Sequence, residues 1–237
     1  MASSLRPGSS EGSTSGAATP ESAGNGGRRA RPPLTRAAVR PERLPLSYAQ
    51  QRLWFLEQFH GPGPAFTLPF MWRLHGPVDT GALTAALGDV IGRHESLRTV
   101  FAVDGGQPGQ NVIPAEQVVI PMTVAPARTG LIDAAAGHVF DVARELPVRA
   151  WLFTVSPDEH VLVLACHQIA SDGWSMRVLM TDLATAYEAR AAGKAPDWPD
   201  LPVQYADYTL WQRDLLDGGQ ADGADGGGVL SGQIQYW

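Results

Sequence analysis

The chain has 237 residues, an apolar fraction of 44% and a formal net charge of −6, so it is long enough for one sizeable domain or two small ones. The first 40 residues carry six arginines and two glutamates, and the acidic remainder argues against nucleic acid as the main partner. A single cysteine excludes an intrachain disulfide, and the lack of a long apolar run predicts a cytoplasmic protein with no signal peptide and no membrane partner.

The two ends of the chain differ in composition from its middle. Residues 1–43 are rich in Ser, Gly, Ala, Arg and Pro and contain almost no aromatic or β-branched side chains. Such a segment buries too little apolar surface to offset the entropy of ordering it, so we predict a disordered tail. Residues 218–237 begin as a Gly/Asp linker and end in a helix-like pattern that looks truncated. The folded domain is therefore predicted to span residues 44–217.

Helices and strands alternate within this domain. In chain order we predict a helix at 48–59, a strand at 66–74, a helix at 80–94, strands at 97–103 and 118–124, a helix at 132–140, a hairpin of strands at 148–155 and 160–166, and helices at 176–190 and 206–216. Ser47, Asp79 or Thr80, and Ser175 are the candidate N-caps. Since several strands are antiparallel, the predicted class is α+β, a mixed α/β structure with one layer of helices on a sheet.

The most informative cluster follows the second strand of the hairpin. His167 and Gln168 end the strand, and Asp172 and Gly173 precede the next helix. A strand that ends on His, followed by Asp-Gly and a helix, holds polar groups at the mouth of a cleft. We therefore take this cluster as the candidate site.

Four blocks of the sequence, including this cluster, stand in one order. They are Ser47–Leu56, Arg93–Phe101, His167–Ser175 and Tyr205–Trp211. Together they resemble the N-terminal half of a condensation domain from nonribosomal peptide synthetases. The resemblance implies a single lobe similar to chloramphenicol acetyltransferase, whereas the family has two such lobes and a tunnel between them. It also implies that residues 218–237 begin a crossover segment and that the second lobe is missing.

Members of this family join a peptidyl or acyl thioester to the amine of an aminoacyl thioester. Both substrates are held by phosphopantetheine arms, so the resemblance implies peptidyl carrier proteins as partners, along with other synthetase domains or the missing lobe. No cofactor is expected to bind directly. The six histidines show no metal-ligand spacing, so no metal is expected either.

The family pattern is His-His-x-x-x-Asp-Gly, and its second His is the one credited with the chemistry. In this chain Gln168 occupies that position, and His167 occupies the first, more structural one. A Gln amide cannot be a general base, although its carbonyl can accept a hydrogen bond from an amine and its NH2 can donate to an oxyanion. Because neighbours on a strand point to opposite sides, His167 is expected to face the body of the lobe. We therefore expect impaired catalysis.

The candidate catalytic set also contains Asp172 and Gly173, with Arg149, Trp174 and Ser175 as structural support. Asp172 is expected to be buried and, as in the family, to form an ion pair with Arg149. Gly173 is expected to allow a close backbone approach or a positive φ, with a plain turn as the alternative. Trp174 is expected in the core, and Ser175 is expected to cap the next helix.

Three functions remain open on the sequence. The first is a condensation-domain fragment with impaired amide formation. The second is a non-catalytic module that binds carrier proteins or recruits another enzyme. The third is a trimeric acyltransferase acting on free thioesters. Whether the chain is an enzyme therefore stays undecided at this point.

Overall fold

The computed structural model describes residues 31–217, which contain seven strands and five α-helices. In chain order these are β1 (Leu44–Pro45), α1 (Tyr48–His60), β2 (Thr67–His75), α2 (Thr80–Arg93), β3 (Thr99–Asp104), β4 (Gln107–Val112), β5 (Met122–Pro126), α3 (Leu131–Ala136), β6 (Val148–Ser156), β7 (Glu159–His167), α4 (Gly173–Ala191) and α5 (Tyr205–Asp217). The predicted α+β class is confirmed. The predictions for residues 1–30 and 218–237 lie outside the described residues.

The strands form two sheets, whereas a single sheet was expected. The larger sheet has the order β2-β7-β6-β5, and the smaller has the order β1-β4-β3. β7 is antiparallel to both of its neighbours, which confirms the predicted β6–β7 hairpin, while β5 runs parallel to β6. A parallel neighbour requires a crossover, and α3 lies within the connection from β5 to β6.

Both faces of the larger sheet are covered. On one face, α2 and α4 pack on alternate residues of the two central strands, namely Val148, Ala150, Leu152, Leu162, Leu164 and Cys166. The other face presents Val161, Val163 and Ala165, which pack against residues of α1, α3 and the segment 138–143. Burial on both faces explains why β7 reads as an unbroken apolar run rather than an alternating one.

Two helices begin where the sequence predicts them to begin. The Ser47 hydroxyl accepts a hydrogen bond from the backbone N–H of Gln50 at 3.1 Å, and the Gln50 side chain accepts one from the N–H of Ser47 at 2.9 Å. This capping box starts α1. The Asp79 carboxylate accepts from the N–H of Ala82 at 2.8 Å and caps α2. Among residues 31–217, no helix has the length and apolarity needed to cross a membrane.

The segment just before β1 lies within the predicted tail of residues 1–43, and it contacts the lobe. The Arg40 guanidinium lies 3.0 Å from the Asp207 carboxylate of α5 and 2.7 Å from the Glu95 carboxylate. The backbone N–H of Ala37 also donates to Asp207, at 3.2 Å. Burial alone would raise the pKa of Asp207, but hydrogen bonds from Gln204, Ala37 and Arg40 hold it below its ordinary value. These long-range contacts were invisible in the composition of the segment.

Replacing Asp207 with Ala is expected to lower the free energy of unfolding by about 2 kcal/mol, because several donors lose a buried acceptor. Urea denaturation measures this change. Asp214→Ala on the same helix is the matched control, since Asp214 is exposed, and it should change stability by less than about 0.5 kcal/mol. Equal effects of the two substitutions would show that Arg40 and Ala37 do not hold α5.

Candidate active site

The motif begins at the last residue of β7 and ends at the first turn of α4. Cross-strand pairing places His167 opposite Thr67, and the backbone N–H of Gln168 donates to Phe66 at 2.9 Å. The carbonyl of His167 then accepts from the N–H of Ala170 at 3.0 Å, which turns the chain. The positions of His167 and Gln168 are therefore fixed by the register of β2 against β7.

His167 points into the body of the lobe. Its side chain is only 2% exposed and lies between the rings of Phe66 and Phe140. The Nδ1 atom accepts a hydrogen bond from the backbone N–H of Ile169 at 3.1 Å, so the proton of the neutral ring is on Nε2. Burial lowers the pKa of His167 to about 4. The expected orientation of His167 is thus observed.

Glu57 of α1 is the acidic neighbour of His167. Its Oε1 lies 3.7 Å from His167 Nε2, which is too far for a hydrogen bond, and its side chain is 7% exposed. Sequence reasoning missed this residue, although a signal was present: Glu57 follows Leu53 by four positions and therefore shares the inward face of α1. A buried carboxyl beside a buried imidazole is unusual enough to require a partner or a function.

Gln168 faces the other way and lines a cleft of about 640 Å³. Its side-chain NH2 donates to the carbonyl of Ala65 at 3.4 Å, which leaves its carbonyl oxygen available to a ligand. The other residues that line the cleft include Leu53, Leu68, Asp172, Trp174, Val178 and Tyr205. The walls are therefore mainly apolar, with the Gln168 amide as a polar group at the end of the motif strand.

His94 is the one imidazole among the described residues that line this cleft. Its Nε2 is 2.7 Å from the Asp182 carboxylate on α4, and the Arg93 guanidinium approaches the same carboxylate at 3.1 Å. Sequence reasoning placed His94 at the end of the predicted helix 80–94 and did not connect it with the site. Only the packing of α2 against α4 brings His94 and Asp182 together.

The predicted Asp172–Arg149 ion pair is wrong. Asp172 is exposed, and its carboxylate caps α4 by accepting from the N–H of Ser175 at 2.8 Å. Hydrogen bonds from Ser175 lower the pKa of Asp172. Arg149 alternates with residues that face α2 and α4, so it lies on the opposite face of the sheet from the helix that Asp172 caps. There it stacks on Trp151 at 5.5 Å and approaches Glu145 at 3.8 Å.

Two supporting residues, Ser175 and Trp174, and Gly173 of the candidate catalytic set also differ from what was expected. Ser175 is the third residue of α4 rather than its N-cap, and its Oγ accepts a hydrogen bond from the N–H of Asp172 at 3.3 Å. Trp174 is 76% exposed rather than in the core. Gly173 has no positive φ, and a Cβ added there would meet no atom within 4 Å, so neither a positive φ nor a close approach applies. Gly173 is an ordinary first residue of α4, which resembles the alternative expectation of a plain turn residue more than either special role.

Because Asp172 is a cap and not an ion-pair partner, Asp172→Ala is expected to cost about 1 kcal/mol of stability. In a double-mutant cycle, Asp172→Ala and Arg149→Ala should be additive within about 0.5 kcal/mol. The positive control is the pair Asp172→Ala and Ser175→Ala, which should be coupled through the capping box. Thermal and urea denaturation measure both cycles. Strong coupling between the Asp172 and Arg149 substitutions would instead support the ion pair that was first expected.

The family of the chain follows from its sequence. The condensation-domain family, described as "Condensation domain", matches residues 41–222. The chain belongs to the condensation-domain family. This confirms the resemblance to a condensation domain that the four blocks indicated. Among residues 31–217, no group of three or more His, Cys, Asp or Glu side chains is arranged to hold a metal ion.

Two bacterial relatives are similar to most of this condensation domain. The chain is 52% identical over 198 residues to the Salinispora arenicola protein named "Probable non-canonical nonribosomal peptide synthetase (NRPS) CymA", covering 84% of the chain and 2% of the relative. It is 50% identical over 208 residues to isonitrile lipopeptide synthase of Mycobacterium tuberculosis, covering 85% of the chain and 8% of the relative. The chain thus spans less than a tenth of either relative's length.

The fold is similar to that of a solved domain, seen in two solved structures. The X-domain from teicoplanin biosynthesis superimposes with a TM-score of 0.76 at 40% identity, covering 87% of this chain and 44% of the X-domain chain. In a complex of the X-domain with OxyB, the TM-score is 0.78 at 38% identity, with coverages of 87% and 45%. The predicted fold of one condensation-domain lobe is confirmed by these matches.

Proposed function

We propose that the chain is the first lobe of a cytoplasmic synthetase condensation domain, and that its cleft positions the reacting amine of an aminoacyl thioester. In the complete reaction that amine attacks an acyl or peptidyl thioester, a C–N bond forms, the C–S bond breaks, and the thiol of a phosphopantetheine arm leaves. Peptidyl carrier proteins hold both substrates and are the proposed partners. Family membership supports amide formation as the reaction class, and the second lobe would supply the facing wall of the tunnel.

The observation that carries this proposal is the opposite orientation of two neighbouring side chains, Gln168 and His167. Gln168 lines the cleft, whereas His167 is buried on the other side of the strand. On this proposal the Gln168 carbonyl oxygen accepts a hydrogen bond from the amine, which orients the nucleophile. An amide cannot take the proton that the amine loses, so that proton must leave to water. We therefore propose amide formation that is impaired relative to a site with a His at position 168.

A second function, binding without catalysis, is favoured by one specific similarity. The X-domain that this lobe matches was solved in a complex with another protein, OxyB. On this proposal the lobe binds a carrier protein or recruits a partner enzyme. The exposed Trp174 indole beside the cleft would then serve as a contact for the partner rather than for a substrate.

One assay separates the two functions. It uses a two-lobe condensation domain in which this chain is the first lobe, with carrier proteins loaded as donor and acceptor. Mass spectrometry of the carrier-bound product measures amide formation, and calorimetry measures carrier binding. Impaired catalysis predicts binding with slow product formation. Pure recruitment predicts binding and no product, even after Gln168→His, and the absence of both would contradict both proposals.

A further inference from the structure

A second pocket, of about 400 Å³, lies between α1 and the segment 139–143, and it shares no lining residue with the cleft beside Gln168. We call it the α1 pocket. Its walls contain three aromatic rings and two carboxyl groups, which belong to Trp54, Phe101, Phe140, Glu57 and Asp141. Among the described residues that line it, none is a Lys, Arg or His. The pocket therefore combines two acidic side chains with an apolar wall on which the half-buried Trp54 ring is accessible.

Glu57 is the group in this pocket that lacks a partner. More than nine-tenths of its side chain is buried, and its Oε2 atom accepts no hydrogen bond from residues 31–217. His167 Nε2 is also buried without a hydrogen-bond partner in this part of the chain, and at 3.7 Å it does not satisfy Glu57 Oε1. A buried carboxylate without donors is strongly destabilising, so this side chain is complementary to a ligand that supplies them.

Asp141 adds a second carboxylate to the α1 pocket. Its carboxylate is held at the rim by the N–H of Ala143 and by the Arg144 guanidinium, at 3.2 and 3.1 Å. Burial, and next the charge of Asp141, raise the pKa of Glu57. A cation bound beside Glu57 would offset both unfavourable effects on the ionised carboxylate, its burial and its repulsion by Asp141.

We propose that the α1 pocket binds a small organic ammonium group. A primary ammonium has three N–H donors, and these match the unsatisfied oxygens of Glu57. Its carbon chain packs on the half-buried Trp54 ring, whose face also attracts a cation. The volume lies within the usual range of small-molecule pockets. This site is independent of the amide-forming function, because it needs neither a carrier protein nor the cleft.

The test is titration of the folded chain with n-butylammonium chloride and with 1-butanol, its neutral counterpart of similar shape. Nuclear magnetic resonance follows the Trp54 indole N–H in the pocket and the His167 ring, which lies beside Glu57. We expect butylammonium to shift both signals and to bind at least about tenfold more tightly than butanol, because a hydrogen bond to a charged group is worth that much. Equal affinities, or shifts that miss Trp54, would overturn the proposal.

Two substitutions localise the binding. Glu57→Gln keeps the shape of the side chain and removes its charge, and it should weaken butylammonium binding about tenfold without changing butanol binding. Glu116→Gln is the matched control, since Glu116 is exposed and lies outside the α1 pocket, and it should change nothing. If Glu57→Gln does not fold, Asp141→Asn at the exposed rim should weaken binding about threefold. Unchanged affinity in a folded variant would refute the site.

Discussion

Replacing Gln168 with His is expected to raise the rate of amide formation by about 10² to 10⁴ in a two-lobe condensation domain built on this chain. The physical reason is that position 168 faces the cleft, so an imidazole there can accept the proton that the attacking amine loses. Single-turnover measurement of product on the acceptor carrier protein gives the rate. The gain should disappear below about pH 6.5, where an ordinary imidazole is protonated.

The control for this prediction is Gln117→His, which adds the same imidazole at an exposed position outside the cleft. It should leave the rate unchanged. Gln168→Leu supplies the complementary test, because it removes the hydrogen bond that orients the amine and should lower the residual rate further. If Gln168→His and Gln117→His behave alike, proton transfer at position 168 does not limit the reaction.

Acid is expected to destabilise the folded chain through His167 before the surface carboxylates are protonated. The unfolded imidazole binds a proton near pH 6.5, whereas burial lowers the pKa of His167 to about 4 in the folded state. The stabilising contribution of the neutral ring is therefore complete above pH 6.5 and is lost as the pH falls towards 4. At about 1.4 kcal/mol per pH unit, the loss reaches about 3 kcal/mol.

The measurement is urea denaturation from pH 7.5 to 4.5. His167→Asn retains an acceptor for the N–H of Ile169 but does not titrate, so its stability should fall less steeply over this range. Burial raises the pKa of Glu57, so protonation of Glu57 stabilises the folded chain as the pH falls and opposes the loss of stability caused by His167. The comparison is therefore also made in a Glu57→Gln background. His60→Gln, at an exposed site, should keep the original slope. A His167→Asn slope equal to that of the unsubstituted chain would contradict the assignment.

The helix starts and the motif show how far the sequence reaches. Ser47 and Asp79 cap helices where predicted, because capping depends on groups within three residues of each other. The β6–β7 hairpin and the opposite orientations of His167 and Gln168 also follow from local alternation along a strand. By contrast, β4 was missed, because Gln107–Val112 contains Pro and Gly and becomes a strand only through its pairing with β1 and β3.

The site shows the same division. Asp172 was assigned to Arg149 by the family pattern, yet the nearer N–H of Ser175 takes its carboxylate. Trp174 was expected in the core, but its position at the first turn of α4 leaves it exposed. The Asp172 cap was within reach of local reasoning, because Asp172 and Ser175 are three residues apart. The exposure of Trp174 is not encoded in a local pattern, because it depends on which face of the sheet the neighbouring element covers.

The sequence by itself determined the family, the class of fold, the starts of α1 and α2, and the amide at position 168. Short-range spacing and side-chain chemistry are sufficient for each of these. Only the tertiary structure decided that Arg40 holds α5, that His94 meets Asp182 in the cleft, and that Glu57 lies unpaired beside His167. Those contacts join residues 88 to 167 positions apart, and chain folding alone brings them together.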